Sequence, residues 1–229
     1  MSRHARIKAE NQIYSVVTRV NDSRYIFQNN EVCEMFLDHL KETKEKLKFK
    51  LYAFVIMSSH VHLLIEPDDE TADISEIMFY INGKFAQKYN LRSVRRGHFW
   101  MERFSSKLIE CGQHLASSVA YFAMNPVKAG VTDNPLKFNY SSIHNYTDGR
   151  FGDLLDQLPE ELICFVKDFL RLNNYVELLD KCTRIMKRFS FDLSKSKREQ
   201  KYRHFVGSSG FVAKNTVRFE LKSIPAASF

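Results

Sequence analysis

Two short stretches of the chain combine residue types that can perform metal-assisted chemistry. His60 and His62 lie one residue apart in an apolar run, and side chains alternate between faces along a strand, so both imidazoles point to the same side. Tyr121 and Asn125 are four residues apart in a helical pattern, so they share one face of a helix. Two imidazoles and an amide can hold one divalent ion beside a tyrosine hydroxyl. The combination indicates a tyrosine nucleophile assisted by a metal ion.

Such a site suits attack on a phosphodiester. A divalent ion at the phosphate polarises it and stabilises the departing oxygen. A tyrosine hydroxyl, whose ordinary pKa is about 10, needs proton removal and alignment before it attacks. The product is a covalent phosphotyrosine that keeps the energy of the broken bond for rejoining, which a strand-transfer enzyme needs and a hydrolase does not. We expect Mg²⁺ or Mn²⁺ as the metal, although imidazole ligands alone leave its identity open.

Neither motif is specific when it is taken singly. An isolated His-x-His in an apolar strand is usually structural. A tyrosine four residues before an asparagine is by default a half-buried aromatic with a polar neighbour, and the chain has ten tyrosines. The joint occurrence of both motifs, in this order and around one sheet, favours the metal-assisted site.

Composition restricts the class of protein. A chain of 229 residues with 44% hydrophobic content can bury the core of one domain with an appendage. No apolar run approaches the roughly 20 residues that cross a bilayer, and the N-terminus lacks the apolar segment of a signal peptide. The four cysteines, without C-x-x-C spacing, indicate buried or incidental thiols in a reducing, cytoplasmic location. A net charge of +7 fits a polyanionic partner.

The elements around the two motifs follow a simple order. Runs of β-branched and apolar residues and helical apolar patterns predict strand, helix, strand, strand, helix, strand and then the tyrosine helix. This order is typical of a ferredoxin-like α+β fold, an antiparallel sheet with helices on one face that leave the other face for substrate. Pro126 is expected to kink the tyrosine helix and Gly130 to end it. The predicted strands are 13–20, 50–57, 60–66 and 105–111, and the predicted helices are 30–46, 71–89 and 113–129.

Three regions are expected along the chain. Residues 1–12 form a basic N-terminal arm, residues 13–148 form the catalytic domain, and residues 149–229 form a C-terminal extension that is helical over 158–188 and basic after it. The basic stretch of the extension suits DNA contact or a solvated helix face equally well. The extension carries no motif that assigns its role.

Basic side chains next to aromatic ones suggest contacts with nucleic acid. A loop with three arginines leads into Phe99 and Trp100, and arginines interleaved with aromatics suit phosphate contact plus base stacking. A surface loop whose aromatics anchor it to the core is the alternative. The residues that we expect to contact DNA are Arg3, Arg6, Arg92, Arg95, Arg96, Arg103 and Lys128.

Three segments together resemble a known family. The run from Tyr52 to Ile65, the segment from Phe99 to Phe104, and the motif that runs from Tyr121 through Asn125-Pro126 to Val131 resemble the single-tyrosine HUH transposases, specifically the REP-associated tyrosine transposases. The likeness spans roughly residues 10–145. Two departures are that Ser58-Ser59 stand where the family often has Pro-Asn, and that residues from about 151 onward match no family motif.

The resemblance implies a function. It implies cleavage of single-stranded DNA beside a hairpin of the repetitive extragenic palindrome type, with a 5′-phosphotyrosine and a free 3′-hydroxyl as products. Carried over, His60, His62 and Asn125 are metal ligands and Tyr121 is the nucleophile, while the arm from Arg3 to Arg6 helps to recognise a guide sequence. A monomer or homodimer in the bacterial cytoplasm, associated with the nucleoid and not with a membrane, is expected.

Other functions remain as alternatives. A replication initiator commonly has lysine three positions after its tyrosine, where this chain has Met124, and a relaxase places its tyrosine before the histidine motif. A non-catalytic hairpin-binding protein has no physical need for the complete set of His60, His62, Tyr121 and Asn125. A metal phosphoesterase that acts on small substrates would turn over without forming covalent protein.

Overall fold

The computed structural model of the protein has a five-stranded sheet at the centre of its fold. The structure describes residues 12–21, 25–68, 70–171, 205–206, 208 and 210–211. The sheet order is β2-β3-β1-β4-β5; the first four strands pair antiparallel, and β5 pairs parallel to β4. The strands are β1 (Ile13–Arg19), β2 (Lys50–Met57), β3 (His60–Glu66), β4 (Ser105–Ile109) and β5 (Phe205–Val206). The predicted α+β class with an antiparallel sheet is confirmed.

The helices begin and end close to the predicted positions. Asn29 caps α1, because its side chain accepts a hydrogen bond from the backbone of Glu31. Pro126 lies inside the last turn of α4, and Gly130 follows that helix with a positive φ of 69°. The helix predicted over 71–89 is divided by a π-helical turn, Phe79–Lys84. The α-helices are α1 (Asn30–Leu47), α2 (Ile74–Met78), α3 (Phe85–Arg92), α4 (Gln113–Lys128) and α5 (Glu160–Arg171).

Helices pack on both faces of the sheet, which corrects the expectation of helices on one face. On the first face, α1 and the segment 74–92 pack on side chains such as Val61 and Leu63. On the second face, α4 and α5 pack on side chains such as Val55 and Leu64. The second face of the sheet is apolar near its centre, and burial of α4 against it is favourable. The apolar side chains that α4 contributes to this core are Leu115, Ala116, Val119, Ala120, Phe122 and Ala123.

An aromatic cluster fills the first face. Phe36 and Phe85 meet edge to face at 5.0 Å, Phe85 and Phe99 at 5.3 Å, and Phe99 and Trp100 at 4.6 Å between ring centroids. This cluster fixes the segment after α3 against the end of β1, where the backbone of Trp100 pairs with Val20. The aromatic residues of this segment therefore anchor it to the core.

Several of the described residues beyond 148 pack against the sheet and its helices. The backbone of Leu51 exchanges hydrogen bonds with Asp156, donating to its carboxylate at 2.7 Å and accepting from its amide at 2.9 Å. Leu154 lies in the first core cluster and Val166 of α5 in the second. The boundary between 148 and 149 stays a prediction, and most of the arm at 1–12 lies outside the described residues.

Among the helices of the described part of the chain, none has the length and apolar character that crossing a membrane requires.

Candidate functional site

The histidine strand lies in the middle of the sheet. Strand β3 pairs with β2 on one side and β1 on the other, so both of its edges are hydrogen bonded. His60 and His62 lie on the same face as Leu64, and their ring centroids are 5.0 Å apart. This is the face that α4 covers. The structure therefore brings both imidazoles to one side, towards the tyrosine helix.

Both imidazoles are held in the neutral form. Burial, and then the charge of Arg19, lowers the pKa of His60, whose Nδ1 lies 3.2 Å from the Ser59 hydroxyl. Burial, with smaller electrostatic contributions from His60, Arg19 and Lys128, lowers the pKa of His62 to about 3. The Nε2 atom of His62 is buried and has no hydrogen-bond partner within the described residues. A neutral imidazole with a free nitrogen is the form that binds a metal ion.

Helix α4 brings the tyrosine to the histidines. Gly112 precedes the helix with a φ of 89°, a left-handed conformation that glycine adopts without strain. Phe122 is buried, and its ring centroid lies 5.2 Å from that of His62. Tyr121, the preceding residue, is only partly buried. The packing of Phe122 therefore fixes the helix so that Tyr121 lies at the exposed margin of the histidine pair.

The Tyr121 hydroxyl has a lysine as its partner. Lys128 Nζ donates a hydrogen bond to the Tyr121 oxygen at 3.1 Å and lies 5.1 Å from the centre of the ring. Asn125 donates from Nδ2 to the Tyr121 carbonyl at 3.0 Å, which leaves its Oδ1 without a partner among the described residues. The three side chains occupy one stripe of the helix. The charge of Lys128 also makes a small contribution to the lowered pKa of His62.

Arg19 is a site residue that sequence reasoning missed. It is the last residue of β1 and lies directly opposite His60 in the β1–β3 ladder, so both side chains project from the same face. Its side chain is exposed and forms no ion pair with the described residues. Only the strand register reveals this neighbourhood, because Arg19 is far from His60 in sequence.

The other predicted DNA-binding residues lie apart from this site. Arg92, at the end of α3, forms an exposed ion pair with Glu31 at 3.1 Å. Arg95 donates to the carbonyl of His98 at 3.2 Å, while Arg96 and Arg103 are exposed. Of the predicted set, Lys128 alone joins the tyrosine and the histidines in the part of the chain that the structure describes. Arg3 and Arg6 lie outside the described residues.

The residues present fit a divalent ion. The His60 and His62 rings meet edge to face, and the buried Nε2 of His62 is unsatisfied by protein groups that the structure describes. An unsatisfied buried polar atom is costly unless a ligand uses it. The described residues contain no cluster of three histidine, cysteine or acidic side chains that could hold a metal ion. The Oδ1 of Asn125, whose Nδ2 bonds the Tyr121 carbonyl, offers an amide oxygen as a third ligand.

Comparisons with known proteins give one consistent family. The profile of the family described as IS200-like transposases matches residues 8–123, slightly more than half of the chain. A protein of Haemophilus influenzae, provisionally described as a REP-associated tyrosine transposase, is 25% identical over 153 residues, covering 63% of this chain and 86% of that protein. A solved structure of a REP-associated tyrosine transposase bound to a REP hairpin matches with a TM-score of 0.57 and 18% identity, covering 69% of this chain and 93% of that one.

The matches confirm the resemblance that the motifs indicated. The family match covers β1 to β4 and most of α4, including both histidines and the tyrosine. The structural match supports the fold.

Proposed function

The chain belongs to the IS200-like transposase family, and from this membership we propose that it cleaves and rejoins single-stranded DNA beside a repeat hairpin through a covalent 5′-phosphotyrosine on Tyr121. One observation carries the proposal: the Tyr121 hydroxyl bonds Lys128, and the next residue of the helix, Phe122, packs against the buried ring of His62, whose Nε2 has no partner among the described residues. The helix that carries the nucleophile and its cation thus packs against the strand that carries the histidine nitrogens.

The chain's own residues supply most of the chemistry. As the Tyr121 hydroxyl loses its proton, negative charge develops on its oxygen, and the ammonium of Lys128, already in hydrogen-bond contact, stabilises that charge. Phe122 fixes the helix, so the tyrosine is held in position before substrate arrives. Arg19 projects from the same face as His60 and is free to contact a phosphate.

A divalent ion, Mg²⁺ or Mn²⁺, would be held by His60, His62 and the Asn125 amide oxygen, where it would polarise the phosphate and stabilise the leaving oxygen. Ser59 contacts Nδ1 of His60 and so orients that ring with its other nitrogen free. Burial keeps His62 neutral.

The bonds balance in a simple transfer. The Tyr121 oxygen attacks phosphorus and forms the 5′-phosphotyrosine bond, the bond from phosphorus to the 3′ oxygen breaks, and that oxygen takes up a proton as the tyrosine proton leaves. Rejoining runs the same steps in reverse with a 3′-hydroxyl as nucleophile. Because the phosphodiester energy is retained on the protein, no external energy source is needed.

A hairpin in single-stranded DNA is the proposed partner. The net charge of +7 supports a polyanionic ligand, and the similar solved structure is that of a transposase bound to a REP hairpin. We expect the full-length chain to act as a monomer or homodimer on this DNA.

The test is a covalent-adduct assay. The full-length protein is incubated with labelled single-stranded oligonucleotides that carry a repeat hairpin with flanks, with Mg²⁺ or Mn²⁺, and is run on denaturing protein gels. We expect a labelled adduct that EDTA prevents and that Tyr121→Phe abolishes. Tyr80→Phe is the matched control, because Tyr80 also lies under a lysine, with Lys46 Nζ 4.2 Å from its ring, but on the other face of the sheet.

Two outcomes would contradict the proposal. An adduct that survives Tyr121→Phe would move the nucleophile elsewhere. Hairpin binding without any adduct, by folded and metal-loaded protein, would instead favour a non-catalytic hairpin-binding protein.

A further inference from the structure

A concave site lies on the first face of the sheet, away from α4 and the histidine pair. An open cleft of about 580 Å³ lies between the π-helical turn and the segment that follows α3, within the usual volume of ligand pockets. Phe79 is 62% exposed and Met101 48% exposed, and both line the cleft with Trp100 and Arg103. Large apolar side chains that remain exposed in a concave site indicate a ligand surface.

The walls of this cleft are fixed by hydrogen bonds. Trp100 Nε1 donates to the carbonyl of Asn82 at 2.8 Å, and Asn82 Nδ2 donates to the buried Thr18 hydroxyl at 2.9 Å. The π-helical turn therefore bonds both to Trp100 and to β1. Gly83 lies beneath the Phe79 ring, where an added Cβ would be 3.8 Å from it. Such π-helical turns are frequent at functional sites.

The cleft adjoins the histidine site through β1. The amide of Met101 donates to the carbonyl of Arg19 at 2.9 Å, and Trp100 pairs with Val20. Arg19 in turn lies opposite His60. Two backbone steps through Arg19 thus lead from the wall of the cleft to the histidine pair.

The charges at the cleft suit a single phosphate next to an unpaired base. Arg103 and His98 lie at the cleft, and Arg103 forms no ion pair with any described residue. Glu102 also lines the cleft and opposes this charge, which disfavours a continuous phosphate track and favours a single base held between rings. Aromatic platforms with nearby cations are how proteins bind unpaired bases.

We propose that this cleft receives one unpaired base of the DNA strand that is cleaved at Tyr121, with the base against Phe79 and Trp100 and a flanking phosphate at Arg103. The cleft determines which phosphate of the DNA reaches Tyr121. A base bound there fixes the position of the DNA strand along the protein surface near Arg19. This proposal rests on the proposed function and deepens it.

The single tryptophan of the chain, Trp100, reports on this site directly. Tyr121→Phe protein, which cannot cleave, is titrated in EDTA with a hairpin oligonucleotide that carries single-stranded flanks, while tryptophan emission and DNA anisotropy are recorded together. We expect binding to change the Trp100 emission. Replacing the flanking bases one at a time by abasic sites should abolish the change at one position only.

Variants assign the contacts. Phe79→Ala should weaken binding of the flanked hairpin by about 5-fold or more, the loss typical of one stacked base, and should leave binding of the hairpin without flanks unchanged. Leu91→Ala, which alters a side chain that is 84% exposed and outside the cleft, is the matched control. Arg103→Gln should lower affinity and the salt dependence together, in contrast to Arg150→Gln, whose side chain pairs with Asp148.

The outcomes separate the two proposals. Anisotropy that reports binding while Trp100 emission stays constant, with Phe79→Ala equal to Leu91→Ala, would overturn the cleft proposal even if Tyr121 forms its adduct. A position-specific change in emission without any adduct from unsubstituted protein would support the cleft and overturn the phosphotyrosine chemistry.

Discussion

The two faces of β3 differ in packing and hydrogen bonding: one is fully packed with apolar side chains, and the other holds a buried polar atom without a partner among the residues that the structure describes. Val61, Leu63 and Ile65 are fully buried in the aromatic layer of α1 and α3. The alternate residues His60 and His62 face α4, where a buried ring nitrogen has no partner in the described part of the chain. One short strand thus contributes a closed apolar core on one side and an open, unsatisfied site on the other.

This difference shows where stability and function reside. Close-packed apolar side chains gain free energy from burial and leave nothing for a ligand to satisfy. A buried polar atom without a partner costs free energy that a ligand can return. We call the side of β3 that carries Val61, Leu63 and Ile65 the aromatic face, and substitutions there should lower stability as core substitutions do. We call the side that carries His60 and His62 the histidine face, and substitutions there should raise stability at the expense of activity.

The largest effect is expected on the aromatic face. Phe85→Ala should lower the free energy of unfolding by about 3–5 kcal/mol, since its fully buried ring contacts Phe27, Phe36 and Phe99. Denaturant unfolding followed by circular dichroism measures this change. Leu91→Ala, at an exposed position, should stay within about 0.5 kcal/mol of the parent protein. Equal effects for both variants would mean that the aromatic layer is not a core.

On the histidine face, a substitution is expected to raise the free energy of unfolding and not to lower it. His62→Phe should raise the free energy of unfolding of metal-free protein by about 1 kcal/mol or more, because the substitution removes a buried, unpartnered nitrogen while keeping a ring against Phe122. The same variant should form no metal-dependent DNA adduct. Unfolding in EDTA and the adduct assay measure the two effects. Unchanged stability would mean that solvent already satisfies the His62 nitrogen.

Local patterns in the sequence predicted most of the elements. The apolar runs of β2 and β3 give strands over the predicted residues, with side chains that alternate between faces, and Asn29 caps α1, which begins at Asn30. The alternation also predicted that His60 and His62 share a face, which the 5.0 Å ring separation matches. These features depend only on neighbours along the chain, so the sequence is sufficient for them.

The features that sequence reasoning missed depend on contacts across the fold. The approach of Arg19 to His60 follows from the register of β1 on β3, and the cover that α4 gives the second face follows from long-range packing. The hydrogen bond from Lys128 to Tyr121 spans seven positions, so two helical turns bring these side chains together. The roles of Tyr121 and of the ligands stay predictions until the chemistry is measured.

A smaller effect, on the rate of adduct formation, is expected for Arg19 at the edge of the histidine face. Arg19→Gln should slow adduct formation by about 10-fold, a loss of about 1.4 kcal/mol of transition-state stabilisation, if the guanidinium contacts the reacting phosphate. Arg19→Lys should recover part of the rate, because it restores the charge without the planar fork. Single-turnover rates at saturating DNA, with unfolding curves for each variant, separate this loss from weaker binding or lower stability. Arg150→Gln, remote from the site, is the matched control.

The smallest expected effect is the protection of a single thiol, and it tests whether solvent reaches the aromatic face. Cys33 is fully buried there and donates from Sγ to the carbonyl of Phe27 at 3.1 Å. Burial, with a smaller contribution from Glu34, raises the pKa of this thiol to about 12. The thiolate is the reactive form, so Cys33 should resist alkylation at about pH 8.5, near the ordinary thiol pKa, while the exposed Cys111 reacts.

The pH dependence has a definite sign. Above the ordinary thiol pKa the unfolded chain loses the Cys33 proton and the folded chain keeps it, so this residue destabilises the fold as pH rises towards 12. Mass spectrometry of tryptic peptides after brief iodoacetamide treatment, native and denatured, measures the protection. Equal labelling of Cys33 and Cys111 in native protein would show that solvent reaches the aromatic face, and the contrast between the two sides of β3 would then be lost.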